Sequence, residues 1–233
     1  MKHTVRRSLR LAGLLVSTGL LVAAIGAWTR STAGSDGAGS LRSPASPGDV
    51  TRGRFSVITH ACGDCHGGFS NPAAKGWLAG VMVPDQEFKI PPSCAWTPGA
   101  KPCFTTRPRN LTPDNATGLG RFTERQVFNA LKFGLRPEDT PDVDITSTTP
   151  GKGNYPMHPH YLAPPMPWTT WRHMPDQELW DIAAYLKRGL KPVVNKVADS
   201  EGPPDFWAGE YAQEIVYGKT PAVAFPTANE RKP

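Results

Sequence analysis

The 233-residue chain carries 26 Lys+Arg against 20 Asp+Glu, a formal net charge of +6, with 20% charged residues, 23 glycines and 25 prolines. A chain of this size buries one good core, and the high Gly and Pro content points to a loop-rich globular protein, not a disordered chain or a long-helix assembly. Five basic residues (Lys2, Arg6, Arg7, Arg10 and Arg30) fall in the first 33 positions, which hold no acid; the remaining 21 basic and 20 acidic residues nearly cancel, which argues against nucleic-acid binding.

Residues 1–33 read as a secretory signal peptide or an N-terminal membrane anchor, a basic start followed by an apolar run over 11–28. The run is longer than most signal cores and just short of the ~20 residues of a spanning helix. Small-residue cleavage patterns end at Gly26, Ala27 or Ala33, and Arg6-Arg7 has poor flanks for a twin-arginine signal. Either reading places the body in the periplasm, soluble or tethered to the inner membrane through residues 11–28. Residues 34–48, rich in Ser, Gly, Ala and Pro, read as a flexible linker.

Three helical segments follow. The first, over 49–61, sets Val50, the aliphatic stem of Arg54, Val57 and Ile58 near one stripe with Phe55 beside it. In the second, Thr123 is an N-cap, Gln126 completes a capping box, and Phe122 and Val127 occupy the staple positions. Val127, Phe128, Leu131 and Leu135 supply its apolar stripe, and Gly134 with Pro137 marks its end. The third starts near Pro175, placed in the first turn, with Asp176 and Glu178 at the positive end of the dipole. Leu179, Ile182, Ala183 and Leu186 make its buried stripe, and Gly189 is its stop. No alternating strand series stands out, so the expectation is an all-α domain with long Pro/Gly-rich loops.

The first helix runs into Cys62-Gly63-Asp64-Cys65-His66. Cys-X-X-Cys-His is the c-type haem attachment signature. Two thiols three residues apart on one helical turn can both form thioethers to one haem, and the next residue sets its imidazole under the iron. Two other readings compete. A thioredoxin-like couple wants a preceding strand and a βαβ pattern, whereas a helix precedes the motif here. A zinc site needs two further ligands. Cys94 and Cys103 are available, but export favours a disulfide between them, closing a small loop worth up to ~3 kcal/mol in the entropy model.

A sixth iron ligand has several candidates. A methionine gives an electron-transfer site and raises the potential, whereas an open position permits ligand binding or peroxide chemistry. Met166 lies in Ala163-Pro164-Pro165-Met166-Pro167-Trp168, where three prolines stiffen the backbone enough to hold a weak thioether against a metal. A methionine filling a core gap is the plainer role. Met157 is the alternative, His158 and His160 read as surface-loop histidines, and Met174 as a packing residue at a helix start. Met82 completes the methionines of the body.

These residues resemble the class I cytochrome c domains in the cytochrome subunits of membrane-associated alcohol and gluconate dehydrogenases. The resemblance rests on Arg52-Gly53-Arg54-Phe55 leading into Cys62 to His66, and on Asn110-Leu111-Thr112-Pro113-Asp114 with Thr117-Gly118-Leu119-Gly120. It rests further on Pro165-Met166-Pro167-Trp168, and on Met174-Pro175-Asp176 through Ala184-Tyr185-Leu186 to Lys191-Pro192-Val193. It implies a class I fold over residues 49–195, three helices around one covalently attached haem c, with His66 and Met166 as axial ligands. It also implies that the first and third helices cross beside the haem, Gly53 letting the backbone approach Tyr185, and that residues 110–120 line the haem pocket. Asp114 and Asn115 are too few for a calcium site and read as turn formers. The chain departs from those subunits in carrying one haem motif where they carry three, and in insertions near residues 82–104 and 137–160. Residues 196–233 form an extension without a counterpart, with a short helix expected at 206–217.

The function expected from this is one-electron transfer between a dehydrogenase donor and a cytochrome or oxidase acceptor of the respiratory chain, without substrate chemistry. The near-neutral body predicts association that depends weakly on salt. The alternative is a haem enzyme or gas sensor with a displaceable sixth ligand.

Overall fold

The computed structural model describes residues 48–81, 87–90, 104–201, 224 and 226–231. The expected signal or anchor, the linker up to residue 47, Met82, the Cys94–Cys103 disulfide and the helix at 206–217 lie outside the described residues. The architecture is helix-dominated. Helices α1 (Val50–Thr59), α3 (Glu124–Phe133) and α5 (Asp176–Ala184) are the long elements. α2 (Cys62–His66) and α4 (Trp168–Trp171) are single turns, Pro137–Asp139 is a 3-10 turn, and α5 runs on into a π turn, Tyr185–Gly189. Among the described residues no helix is long and apolar enough to cross a membrane.

α5 is the central element and packs on both α1 and α3. Its Leu179, Ile182 and Ala183, with Leu186 of the π turn, are buried with Val57 of α1 and with Val127, Phe128 and Leu131 of α3 in the main core. The α1–α5 crossing is close because Gly53 has no side chain. A Cβ there would sit 1.8 Å from the Asp181 carbonyl oxygen and 2.9 Å from the Tyr185 Cβ. That approach also decides which face of α1 is inside. Gly53, Ser56 and Val57 are buried, while Arg54 is exposed and Phe55 is 69% exposed. Of the expected stripe, Val57 is buried and Val50 and Ile58 pack against the core, whereas Arg54 lies outside, because the α5 backbone closes on Gly53.

Polar groups lock the same crossing. The Asp49 side chain caps α1 by accepting from Arg52 N at 2.7 Å, and the Asp49 N–H donates to Asp181 Oδ1 at 2.7 Å. Arg52 forks onto the Asp181 carboxylate with Nε at 2.7 Å and Nη2 at 3.0 Å, and Gln177 Nε2 adds a bond at 2.9 Å. Burial pushes the Asp181 pKa up, but these donors outweigh it and hold the carboxyl below its ordinary value. A depressed folded pKa contributes stability above the unfolded value of about 4 and loses it as pH falls through the folded value. Asp181→Asn is thus expected to lower stability by about 1–3 kcal/mol at neutral pH. The gap between its denaturant midpoint and that of the unaltered protein should narrow below about pH 4; a gap independent of pH would contradict the assignment.

α3 begins as its sequence dictates. Thr123 accepts from Gln126 N, Gln126 Oε1 accepts from Thr123 N, and the chain leaves through left-handed Gly134 (φ 68°). Phe122 and Val127, the staple pair, are both buried. At α5 the expectation shifts by one residue: Pro175 is the N-cap (φ −53°, ψ 136°) and Asp176 opens the helix. An N-cap sits in extended backbone with no helical N–H to lose, which proline satisfies as readily as a first turn.

Two short strands modify the all-α expectation. β1 (Phe88–Ile90) and β2 (Phe104–Thr106) pair antiparallel, with Phe88 opposite Thr106. Three residues are too few to show an alternating pattern. Thr105 further bridges Glu201, with N···O distances of 2.7 and 2.8 Å, so the chain after α5 lies along this pair.

Candidate functional site

The attachment segment is held by its backbone. Ala61 (φ 56°) turns the chain sharply out of α1 into α2, and Phe69 (φ 52°) and Leu78 (φ 58°) also take left-handed angles. Three non-glycine residues in that region within 18 positions mark a segment whose geometry is imposed by its surroundings. Gly63, the first residue between the cysteines, must be glycine here, since a Cβ would lie 2.0 Å from the Phe69 carbonyl oxygen and 2.3 Å from the Trp77 ring. Trp77 in turn donates from Nε1 to Tyr185 Oη at 3.0 Å, coupling the turn to the end of α5. The His66 carbonyl accepts from Gly80 N at 2.8 Å.

The His66 ring is oriented as well. Its Nδ1 lies 2.7 Å from the Arg109 carbonyl oxygen. A carbonyl only accepts, so Nδ1 carries the proton and Nε2 presents its lone pair. Burial lowers the His66 pKa, with the Arg109 carbonyl opposing, which favours the neutral ligating form. Cys62 and Cys65 are not joined to each other by a disulfide, and burial pushes the Cys62 thiol pKa up to about 12. An activated disulfide-exchange thiol is shifted the opposite way.

Cys62, Cys65 and His66 line a cavity of about 480 Å³, and Met166 lines the same cavity. Its walls are Leu111 and Leu119 from the 110–120 loop, Val127, Ala130 and Leu131 from α3, Trp171 from α4, and Ile182 and Leu186 from α5 and its π turn. Met166 is seated by a turn: its N–H donates to Ala163 O and its carbonyl accepts from Trp168 N, both at 2.9 Å. The other candidates do not reach this cavity. Met157 is 62% exposed, His158 is exposed, and His160 pairs with Asp139 at 3.0 Å. Met174 instead lines a second cleft of about 690 Å³ between α3, residues 144–148 and residues 172–176, which holds none of Cys62, Cys65, His66 and Met166.

The loop that carries Leu111 and Leu119 is stabilised by Asn110. Its Nδ2 donates to Thr117 Oγ1 and Val193 O, and its Oδ1 accepts from Thr112 N and Oγ1. Asp114 Oδ1 accepts from the Ala116 and Thr117 backbones and from Thr117 Oγ1, so it closes a turn. Lys187 Nζ donates to Leu119 O at 2.7 Å and Gly120 O at 2.9 Å, tying the loop to the end of α5. Among the described residues no three His, Cys, Asp or Glu side chains gather as a metal-holding group.

Sequence reading did not single out Trp77, Tyr185 as its partner, Arg107 or Arg109. The one local hint was the pair of arginines directly before Asn110, and nothing local shows that their segment walls the cavity.

The site fits a haem bound through both thiols. The two cysteines, an imidazole with a free Nε2 and a thioether share one apolar-walled cavity, and its volume is in the range of ligand pockets, about 300–1,000 Å³. No family model matches the chain. A curated relative is 23% identical over 144 residues, 62% of this chain, and is described as a fructose dehydrogenase cytochrome subunit of Gluconobacter japonicus. The match covers 22% of that relative's length. The similarity supports a cytochrome c-like relationship, distant, with a subunit of a dehydrogenase.

Proposed function

We propose that this chain is an exported mono-haem c-type cytochrome that carries single electrons between a dehydrogenase and the respiratory chain, through the haem c chemistry that the site fits. The observation that carries the reading is the convergence of Cys62, Cys65, His66 and Met166 on one apolar-walled cavity. Bound there, haem c supplies one reversible electron through the Fe(III)/Fe(II) couple. Every other part of the function belongs to the chain. Cys62 and Cys65 would hold the group through thioether bonds. His66, its Nδ1 proton held by the Arg109 carbonyl, would offer Nε2 to the iron. Met166, on its proline-framed turn, would offer its thioether as the second protein ligand, and a thioether raises the potential. The leucines, Val127 and Ile182 exclude water, which keeps the site's dielectric low. The basic N-terminus and apolar run fit export, and the similarity to a dehydrogenase cytochrome subunit fits a dehydrogenase donor.

The full chain, expressed with export and haem maturation, tests this. Haem peroxidase staining should follow the polypeptide on a denaturing gel, and the oxidised protein should accept one electron per chain in a reductive titration. Absence of stain from correctly exported protein overturns the reading. Tight carbon monoxide binding by the reduced, intact protein overturns the Met166 assignment and favours a haem enzyme or sensor.

A further inference from the structure

Met166 has a flexible side chain with a weak ligand near its end. Its turn closes on itself through two local hydrogen bonds, to Ala163 O and from Trp168 N. Those bonds shape the turn, but they do not fix it relative to α3, whose side chains form another wall of the cavity. A weak ligand stays on a metal when the groups behind it are themselves locked. The groups behind Met166 are aromatic.

Trp168, two residues on, is buried, and its ring occupies the space left by Gly134 at the end of α3, where a Cβ would lie 2.1 Å from the indole. The Tyr161 ring stacks on that indole with centroids 5.6 Å apart and planes 4° from parallel, inside the range of favourable offset stacking. Tyr161 is pinned through both its backbone and its hydroxyl. Leu162 N donates to Gly134 O at 2.6 Å, Arg136 N to His160 O at 2.9 Å and Arg136 Nε to Tyr161 O at 3.1 Å. These bonds clamp residues 160–162 to the end of α3. The Tyr155 hydroxyl donates to Tyr161 Oη at 3.1 Å. Tyr155 is itself buried with Leu135 and Ile145, and burial raises its phenol above the ordinary pKa, so it remains a donor. Tyr155 and Ile145 belong to the insertion at 137–160, which meets the cavity only through Pro137.

On the haem reading above, we infer that Tyr161 is a positioning residue for the Met166 thioether, holding the methionine turn through Trp168 while the insertion holds Tyr161 through Tyr155. The insertion then stiffens the proposed iron ligand from behind. The consequence falls on ligand exchange. An external imidazole reaches the iron only when the thioether has left, so its apparent affinity scales with the fraction of protein in that open state. Loosening the turn raises that fraction.

The test is a titration of oxidised, haem-stained holoproteins with imidazole, followed in the visible spectrum. The unaltered protein is compared with Tyr161→Leu, Tyr161→Phe, Met166→Ala and the Met166→Ala/Tyr161→Leu double variant. Tyr161→Leu should bind imidazole about tenfold more tightly than the unaltered protein. Tyr161→Phe keeps the stack and loses the hydroxyl bond, so its affinity should rise only about threefold. Met166→Ala should bind most tightly, and adding Tyr161→Leu to it should change the affinity by less than about twofold, because no thioether is left to hold. An unchanged affinity in Tyr161→Leu overturns the inference. So does an equal tightening in the Met166→Ala background, which would place the effect on access to the cavity. If Tyr161→Leu does not mature, Tyr161→Phe decides, and an unchanged affinity there overturns the inference. Absence of stain in the unaltered protein would instead defeat the haem reading itself.

Discussion

Replacing Cys62 and Cys65 together by serine should abolish the haem stain and the native fold with it. Each single replacement should leave a stained chain held through the remaining thioether. The size of the effect follows from the cavity. Without an occupant the apolar side chains lining about 480 Å³ face water instead of a packing partner, and burying such surface is the main source of a domain's stability. The chain without its cofactor therefore collapses onto the space or floods it. Either way α3, α4 and the 110–120 loop lose a shared packing partner, because all of them face the cavity. The double variant should retain helical far-ultraviolet dichroism, lose near-ultraviolet signal and bind a hydrophobic dye. A double variant with native near-ultraviolet dichroism and a cooperative melt close to that of the unaltered protein would show that the cavity does not depend on a covalent occupant.

Met166→Ala should produce the second large effect, on redox behaviour more than on folding. Met166 sits on a turn, lines the cavity and packs at the edge of the core, so truncation would remove the proposed iron ligand more than buried volume. The reduced variant should bind carbon monoxide rapidly. Its potential should fall by on the order of 0.2 V, within the ~0.8 V range over which axial ligands tune haem. Met166→His should block carbon monoxide again while keeping a low potential, since imidazole is the stronger donor to Fe(III). Met157→Ala serves as the control: it is exposed and away from the cavity, so its spectrum and potential should match the unaltered protein. A Met166→Ala protein that stays six-coordinate and indifferent to carbon monoxide would place the ligand elsewhere.

Much of the local structure was legible in the chain because its causes are local. The Thr123–Gln126 capping box, the Phe122/Val127 staple and the Gly134 stop each depend on residues within a few positions, and each stands where the pattern places it. The close approach over Gly53 was also legible, although only through resemblance, since a glycine beside arginines says nothing by itself of a crossing helix. Val50, Val57 and Ile58 of the expected α1 stripe meet the core, and only Arg54 of that stripe lies outside. Periodicity weighs side chains, whereas the interface there is the backbone of α5 at Asp181. The β1–β2 pair escaped because three-residue strands hold no pattern to detect.

The candidate site divides along the same line. Cys62, Cys65 and His66 stand out from spacing alone, because Cys-X-X-Cys-His is the haem attachment signature. Met166 stood out among the methionines through its prolines, which are also local. The sequence by itself therefore determined the Cys-X-X-Cys-His signature, the helix caps and the proline-framed methionine. Only the tertiary structure decided that these four residues face one cavity, that Gly63 gives way to Trp77, and that Arg109 orients His66 from 43 positions away. Those relations join segments far apart in the chain, and their energies arise only when α1 and α5 close over Gly53 and bring the segments into contact.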